Sequence, residues 1–205
     1  NINRFRREGF YAVGKGTVPS FTNPNNMSIV TGVPPAIHGI SGNFYLERES
    51  GEAVMMTGPE LLRCETILAA FSNAGLRVGA VTAKDKLRAQ LGAGLNLAGG
   101  SVCFSAQCAD ECTVPTHGIS DVLGYVGMPL PDMYSADLSL FVMHAGERLL
   151  RDGLVDVLYL SLTDYIQHKH APGEPAADAF YREIDASLGR IEAAGAVLGV
   201  TADHG

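Results

Sequence analysis

The sequence contains no tryptophan, no apolar run long enough to span a bilayer, and no surplus of basic residues. Without tryptophan, a flat slot for a ring or base must be built from the 7 tyrosines and 8 phenylalanines. Lys and Arg number 15 against 22 Asp and Glu, a net charge of −7. Nucleic acid, whose backbone requires a basic face, is therefore not an expected partner. A small anion is not excluded, because a bound cation reverses the local field. The opening NINRFRREGF lacks the apolar stretch of a secretory signal, and no membrane partner is expected. The cysteines lack zinc-finger spacing: Cys103, Cys108 and Cys112 form a C-x4-C-x3-C run, with Cys64 far upstream. They read as reduced thiols of a cytoplasmic protein.

What is present is an ordinary globular balance, 46% apolar and 18% charged over 205 residues, enough for one domain with a real core. No repeat or low-complexity segment interrupts it. The chain starts at Asn1 rather than Met and stops just after Asp203–His204. Residues 1–205 are therefore expected to form a single domain that is incomplete at both ends.

Strands and helices alternate along the chain. Residues 59–74 carry apolar residues at helical spacing, with Pro59 suited to a first turn and Gly75 to a stop. Residues 76–82 read as a buried strand, a short helix follows Asp85, and 101–105 read as another strand. Residues 135–151 predict a long helix closed by Asp152–Gly153. Residues 155–162 form a strongly apolar strand, 176–194 a helix ended by Gly195, and 196–201 a last strand. This pattern predicts an α/β domain with a mostly parallel central sheet flanked by helices. Such sheets bind ligands at the carboxyl ends of their strands. Three charged motifs fall there: Lys84 with Lys86, Asp164 with His168, and Asp203 with His204.

Asp164 and His168 are four apart, so one helical turn brings both to one face, and a carboxylate with an imidazole suits zinc. The same spacing also occurs in solvated turns. Asp203 and His204 are adjacent and reach one metal only if the backbone turns sharply, which Gly205 permits. Asp203 could equally be a helix cap. Two Asp/His pairs at two strand ends suggest a dinuclear site. In residues 18–32, Pro24 suits a first helical turn with Thr22 or Asn23 at the boundary. A hydroxyl there meets unpaired N–H groups and the positive end of the helix dipole, although a plain N-cap has the same sequence. Lys84 and Lys86 share one side of an extended segment, where two ammonium groups repel unless an anion sits between them.

The run T-N-P-N-N-M-S-I-V-T-G-V-P-P-A-I-H-G-I, Thr22 to Ile40, resembles the nucleophile segment of the nucleotide pyrophosphatase/phosphodiesterase branch of the alkaline phosphatase superfamily. That segment typically reads T-F-P-N-x-x-S/T-x-V-T-G-x-x-P-x-x-H-G-I. The resemblance implies an alkaline-phosphatase-like fold, Thr22 as the nucleophile, and Asn43, in H-G-I-S-G-N, as a donor to the phosphoryl oxygen. Asn25 and His38 match too and read as structural, a turn residue and a buried hydrogen-bonding imidazole. The resemblance also implies two Zn2+ ions, one on Asp164 and His168, the other on Thr22, Asp203 and His204. Each family site has one further ligand, an Asp near the N-terminus and a His near the C-terminus, and neither is expected within these residues. His170 and His117 are left outside the ligand set.

A-V-T-A-K-D-K-L-R, Ala80 to Arg88, and V-G-M-P-L-P-D-M-Y-S-A-D-L, Val126 to Leu138, are similar to phosphonoacetate hydrolases. This second resemblance implies that Lys84 and Lys86 hold the carboxylate of a small anionic phosphonate. It implies hydrolysis of the carbon–phosphorus bond through a phosphothreonine. A phosphodiesterase, or a catalytically inactive binding domain, remains as the alternative. A homodimer is compatible with the sequence.

Overall fold

The computed structural model describes residues 1–204. Gly205, to which the sequence assigned a sharp turn, lies outside the described residues. The chain opens with helix α1 (Ile2–Glu8), where the Ile2 amide and the side-chain amide of the cap residue Asn1 donate to the Asp185 carboxylate. Helices α2 (Thr22–Thr31) and α3 (Pro35–His38) follow, then an antiparallel hairpin of β1 (Phe44–Leu46) and β2 (Ala53–Met55). Next come α4 (Ile67–Asn73), β3 (Val78–Thr82), α5 (Asp85–Leu91) and β4 (Val102–Ser105). Two short helices, α6 (Val114–His117) and α7 (Val122–Val126), lead to the long α8 (Asp137–Arg151). The last elements are β5 (Val157–Ser161), α9 (Tyr165–Lys169) and α10 (Pro175–Ala193).

The central sheet is parallel, as the sequence predicts, with strand order β4-β3-β5. The register sets Thr82 beside Ser105 on one side and Ser161 on the other, so three strands finish level at one edge. β3 is buried throughout because both faces are covered. On one face Val81 packs with Phe104, Leu138, Phe141 and Leu149, mostly from α8. On the other Val78 and Ala80 meet Met27, Val30, Leu87 and Leu91 from α2 and α5. Gly146 allows α8 to lie close to β5, since a Cβ there would sit 2.7 Å from the Leu160 methyls. A third cluster, Met143 with Phe180, Ile184, Leu188 and Ile191, fixes α10 on α8.

α8 and α10 are also joined by a buried charge. Glu147 accepts from Arg190 Nε at 2.7 Å and from Arg151 Nη1 at 2.8 Å. Burial pushes the Glu147 carboxyl up, but Arg190 and then Arg151 prevail and hold it below its ordinary 4.5. A depressed carboxylate contributes stability that is present above its unfolded pKa and is lost as pH falls through the folded one. Glu147→Gln should therefore cost roughly 1–2 kcal/mol at pH 7, since the arginines keep access to water. That difference should shrink as the pH drops below the ordinary carboxylate range. Urea titrations of parent and variant at neutral and acid pH check this; a pH-independent gap would contradict it.

Two predicted elements differ. The helix expected over 59–74 forms only over α4. Thr66 stops it by accepting from the Ala69 amide at 3.1 Å. Upstream, Pro59 opens a turn, Arg63 N–H donates to His38 O, and Leu61 and Leu62 enter the core. The strand expected over 196–201 is not in the sheet. Ala196 and Leu198 pack against the α10 cluster, while Val197 is fully exposed and Val200 is 62% exposed. An apolar run becomes a strand only when a neighbour supplies the ladder, and none of the described strands pairs with it.

Candidate active site

Helix α2 begins at Thr22, with Phe21 as its cap residue and Pro24 in the first turn. The helix start is held from outside. Asn25, which the sequence reads as a turn residue, lies within the helix; its Oδ1 accepts from the Thr17 amide and its Nδ2 donates to Phe21 O. His38 is fully buried between Ser28 Oγ at 3.0 Å and the Ile40 amide at 3.1 Å, the structural imidazole expected. Burial lowers its pKa. The hairpin, which the sequence did not suggest, positions Asn43: its carbonyl accepts from the Met56 amide at 2.8 Å. Its Oδ1 accepts from the Asn23 amide at 3.3 Å, so the amide oxygen caps α2. The Nδ2 group is left as the donor end.

Asp164 sits at the end of β5 as the cap residue of α9, and His168 follows one turn later with Nε2 3.0 Å from Asp164 Oδ2. The loop between is tied to α8, where Ser139 Oγ accepts from the Thr163 amide at 3.1 Å. His204 converges from the other side. Its Nε2 lies 3.4 Å from Thr22 Oγ1, 3.7 Å from Asp203 Oδ2 and 3.9 Å from Asp164 Oδ2. The two Asp/His pairs and the hydroxyl thus meet, as the sequence pattern predicts.

Lys84 is the extended cap residue of α5 and Lys86 lies in its first turn. Between them Asp85 is already satisfied: Arg88 Nε donates to it at 2.6 Å and Ser105 Oγ at 2.9 Å. Burial pushes the Asp85 carboxyl up, but Arg88 and Ser105 hold it below its ordinary range. Among the described residues neither lysine has an ion-pair partner. Lys84 Nζ instead stands 5.6 Å from the centre of the Tyr134 ring, a cation–π contact, and Tyr134 leans on Tyr165.

One cavity of about 510 Å³ at this strand edge is lined by Thr22, Asn43, Lys84, Lys86, Asp164, His168, Asp203 and His204, every site residue the sequence nominated. A second, of about 560 Å³, lies between β2 and α5; it shares Lys86 but contains no histidine. His170 pairs with Glu174 and His117 with Thr113 and Thr116, and neither lines the first cavity. The cysteines lie apart from it, and burial pushes Cys103 up to about 12 and Cys112 to about 11.

Sequence reading missed a relay behind the site. Tyr159 O–H donates to Asn26 Oδ1 at 2.8 Å, and Asn26 Nδ2 donates to Asp203 Oδ2 and to Thr22 O, both at 3.0 Å. Burial, and then the Asp203 charge, raise the Tyr159 pKa, so the phenol stays protonated and remains the donor. The available signal was a tyrosine in an aliphatic strand, whose buried hydroxyl requires a partner. Among the described residues no three or more His, Cys, Asp or Glu side chains are grouped to hold a metal by themselves. Each Asp/His pair is a two-donor half-site.

The parallel α/β sheet thus gathers a helix-start hydroxyl and paired Asp/His groups at its carboxyl edge, where such sheets bind ligands. The chain belongs to the type I phosphodiesterase / nucleotide pyrophosphatase family, whose model matches residues 1–205. It is similar to crystal structures of phosphonoacetate hydrolase from Sinorhizobium meliloti 1021 in complex with phosphonoacetate and with phosphonoformate. Each match has 52% identity and a TM-score of 0.85, and covers 88% of this chain and 44% of the other. The chain thus spans less than half the length of those solved relatives.

Proposed function

We propose that the protein hydrolyses phosphonoacetate to acetate and phosphate through a phosphothreonine on Thr22. The observation that carries this reading is a single cavity holding a helix-start hydroxyl, an amide donor, two Asp/His pairs and two lysines without a carboxylate partner. The similarity to the Sinorhizobium phosphonoacetate hydrolase complexes supports the substrate class. Two zinc ions belong to the proposal. Asp164 and His168 would hold one, and Thr22, Asp203 and His204 the other. Imidazole and carboxylate donors suit zinc, and the Tyr159–Asn26 relay fixes the Asp203 carboxylate as metal ligands require. When bound, zinc would supply Lewis acidity that lowers the cost of an alkoxide and of charge on phosphoryl oxygens. A cytoplasmic setting is also proposed, supported by four free thiols; no helix among the described residues is long and apolar enough to cross a membrane.

In the proposed reaction Thr22 gives its proton to solvent and its Oγ bonds to phosphorus. The carbon–phosphorus bond breaks, and its electron pair moves to the methylene carbon. The adjacent carboxylate delocalises that charge, and Lys84 and Lys86 stabilise it. Asn43 donates to a phosphoryl oxygen as negative charge builds. Solvent protonates the carbon, giving acetate. Water then forms a new bond to phosphorus, the bond to Thr22 Oγ breaks, and phosphate leaves with the hydroxyl restored. The test uses protein made from the complete reading frame, loaded with zinc, and compares phosphonoacetate with a nucleotide diester. Phosphate release from phosphonoacetate is expected. The family's description favours a nucleotide phosphodiesterase as second reading, and diester turnover with no action on phosphonoacetate would establish it instead. Protein that binds no zinc and turns over neither substrate would point to a binding domain.

The relay gives a further expected result. Asn26→Leu should reduce zinc occupancy or kcat/KM by about 10–100-fold, because Asp203 loses its orienting donor. Metal analysis beside steady-state kinetics checks this, and full occupancy with parental kinetics would show that Asn26 only packs.

A further inference from the structure

Thr82 ends the central strand β3 and is 1% exposed, yet its Oγ1 has no hydrogen-bond partner among the described residues. A buried hydroxyl without a partner is destabilising, and valine would fill the same β-branched shape without that cost. The neighbouring groups are already engaged. The Thr82 carbonyl accepts from the Ala106 amide at 2.8 Å, and Ser105 Oγ, next in register, donates to Asp85. Thr82 also lines the cavity that holds Lys84 and Lys86. The chain bends just past Thr82, and Lys84, two residues on, lines the same cavity. A partner for the hydroxyl must therefore come from the cavity, at its lysine end.

We infer that Thr82 is a specificity-determining residue whose hydroxyl donates a hydrogen bond to the substrate carboxylate held by Lys84 and Lys86. This rests on the phosphonoacetate reading above. A hydroxyl poised on the strand end, beside two lysines, gives the carboxylate a directional contact as well as charge. The requirement for a partner is met only when the substrate is bound, so loss of the hydroxyl should weaken binding without weakening the fold.

The test compares Thr82→Val and Thr82→Ser with the parent, all zinc-loaded and made from the complete reading frame. Three quantities are read: KM and kcat for phosphonoacetate, the inhibition constant of inorganic phosphate, which has no carboxylate, and the thermal midpoint. Thr82→Val should raise KM by about tenfold, as expected for one hydrogen bond to a charged group. It should leave phosphate inhibition within about twofold, the same bond having no place there. Its thermal midpoint should hold or rise, and Thr82→Ser should restore most of the affinity. An unchanged KM in Thr82→Val, or equal weakening of phosphonoacetate and phosphate, overturns the inference. A lower thermal midpoint that Thr82→Ser does not rescue also overturns it, by showing a packing role. If the parent itself ignores phosphonoacetate, the proposed reaction fails and this inference with it. A parent that turns it over beside an indifferent Thr82→Val defeats the inference alone.

Discussion

Thr22→Ala should lower kcat by on the order of 10⁴-fold or more, the scale at which enzymes lose a covalent nucleophile. The fold should barely respond. Thr22 is the first residue of α2, half-buried, and its hydroxyl meets only His204 at 3.4 Å among the described residues. The Asn25, His38 and Asn43 contacts that seat the helix do not involve its side chain. Thr22→Ser keeps the hydroxyl at the positive end of the helix and should retain measurable turnover. Rates and thermal midpoints for both variants decide the matter. Turnover by Thr22→Ala near the parent's would exclude the residue as nucleophile. A large fall in midpoint would assign the loss to the fold.

Lys84→Ala and Lys86→Ala should each reduce kcat/KM for phosphonoacetate by about 10–100-fold, the worth of a charge-assisted contact of roughly 1.5–3 kcal/mol. A phosphate ester without a carboxylate should suffer far less. The asymmetry follows from the distribution of charge at the β3 end. Asp85 is occupied by Arg88 and Ser105, and among the described residues no carboxylate forms an ion pair with either ammonium group. Lys84 has an aromatic face, Tyr134, as its neighbour, which orients the cation without cancelling it. Equal losses on both substrates would show that the lysines act on the phosphoryl end or on the general field.

Lys84, Lys86, Asp164 and His168 were legible because they follow strand ends, which are marked locally, whereas Asp203 and His204 follow a segment that forms no strand. The aliphatic runs that become β3 and β5 and the period of α8 and α10 need no distant partner to be recognised. Their stops are equally local, as at Gly195 with φ +94°. What escaped depends on contacts remote in sequence. The three-residue strands of the hairpin alternate weakly with solvent, and nothing nearby announces that they carry Asn43. Tyr159 and Asn26 are 133 positions apart, so their hydrogen bond has no sequence signature. Residues 196–201 have the composition of a strand, but composition supplies no ladder. Residues 59–66 have the helical period, but Thr66 and the contacts to α3 override it. Thr82 reads as one more β-branched strand residue until its hydroxyl is found buried and unpartnered.

The central claim is that Thr22 attack expels an acetate carbanion, with the two lysines stabilising the departing charge. The most direct measurement is product analysis in deuterium oxide. Zinc-loaded protein from the complete reading frame is given phosphonoacetate, and the products are followed by proton and phosphorus magnetic resonance. The account predicts phosphate and acetate in equal amounts, with one deuterium in each acetate methyl group, because solvent protonates the carbon that leaves phosphorus. Phosphate without acetate, or acetate carrying no deuterium, would contradict it.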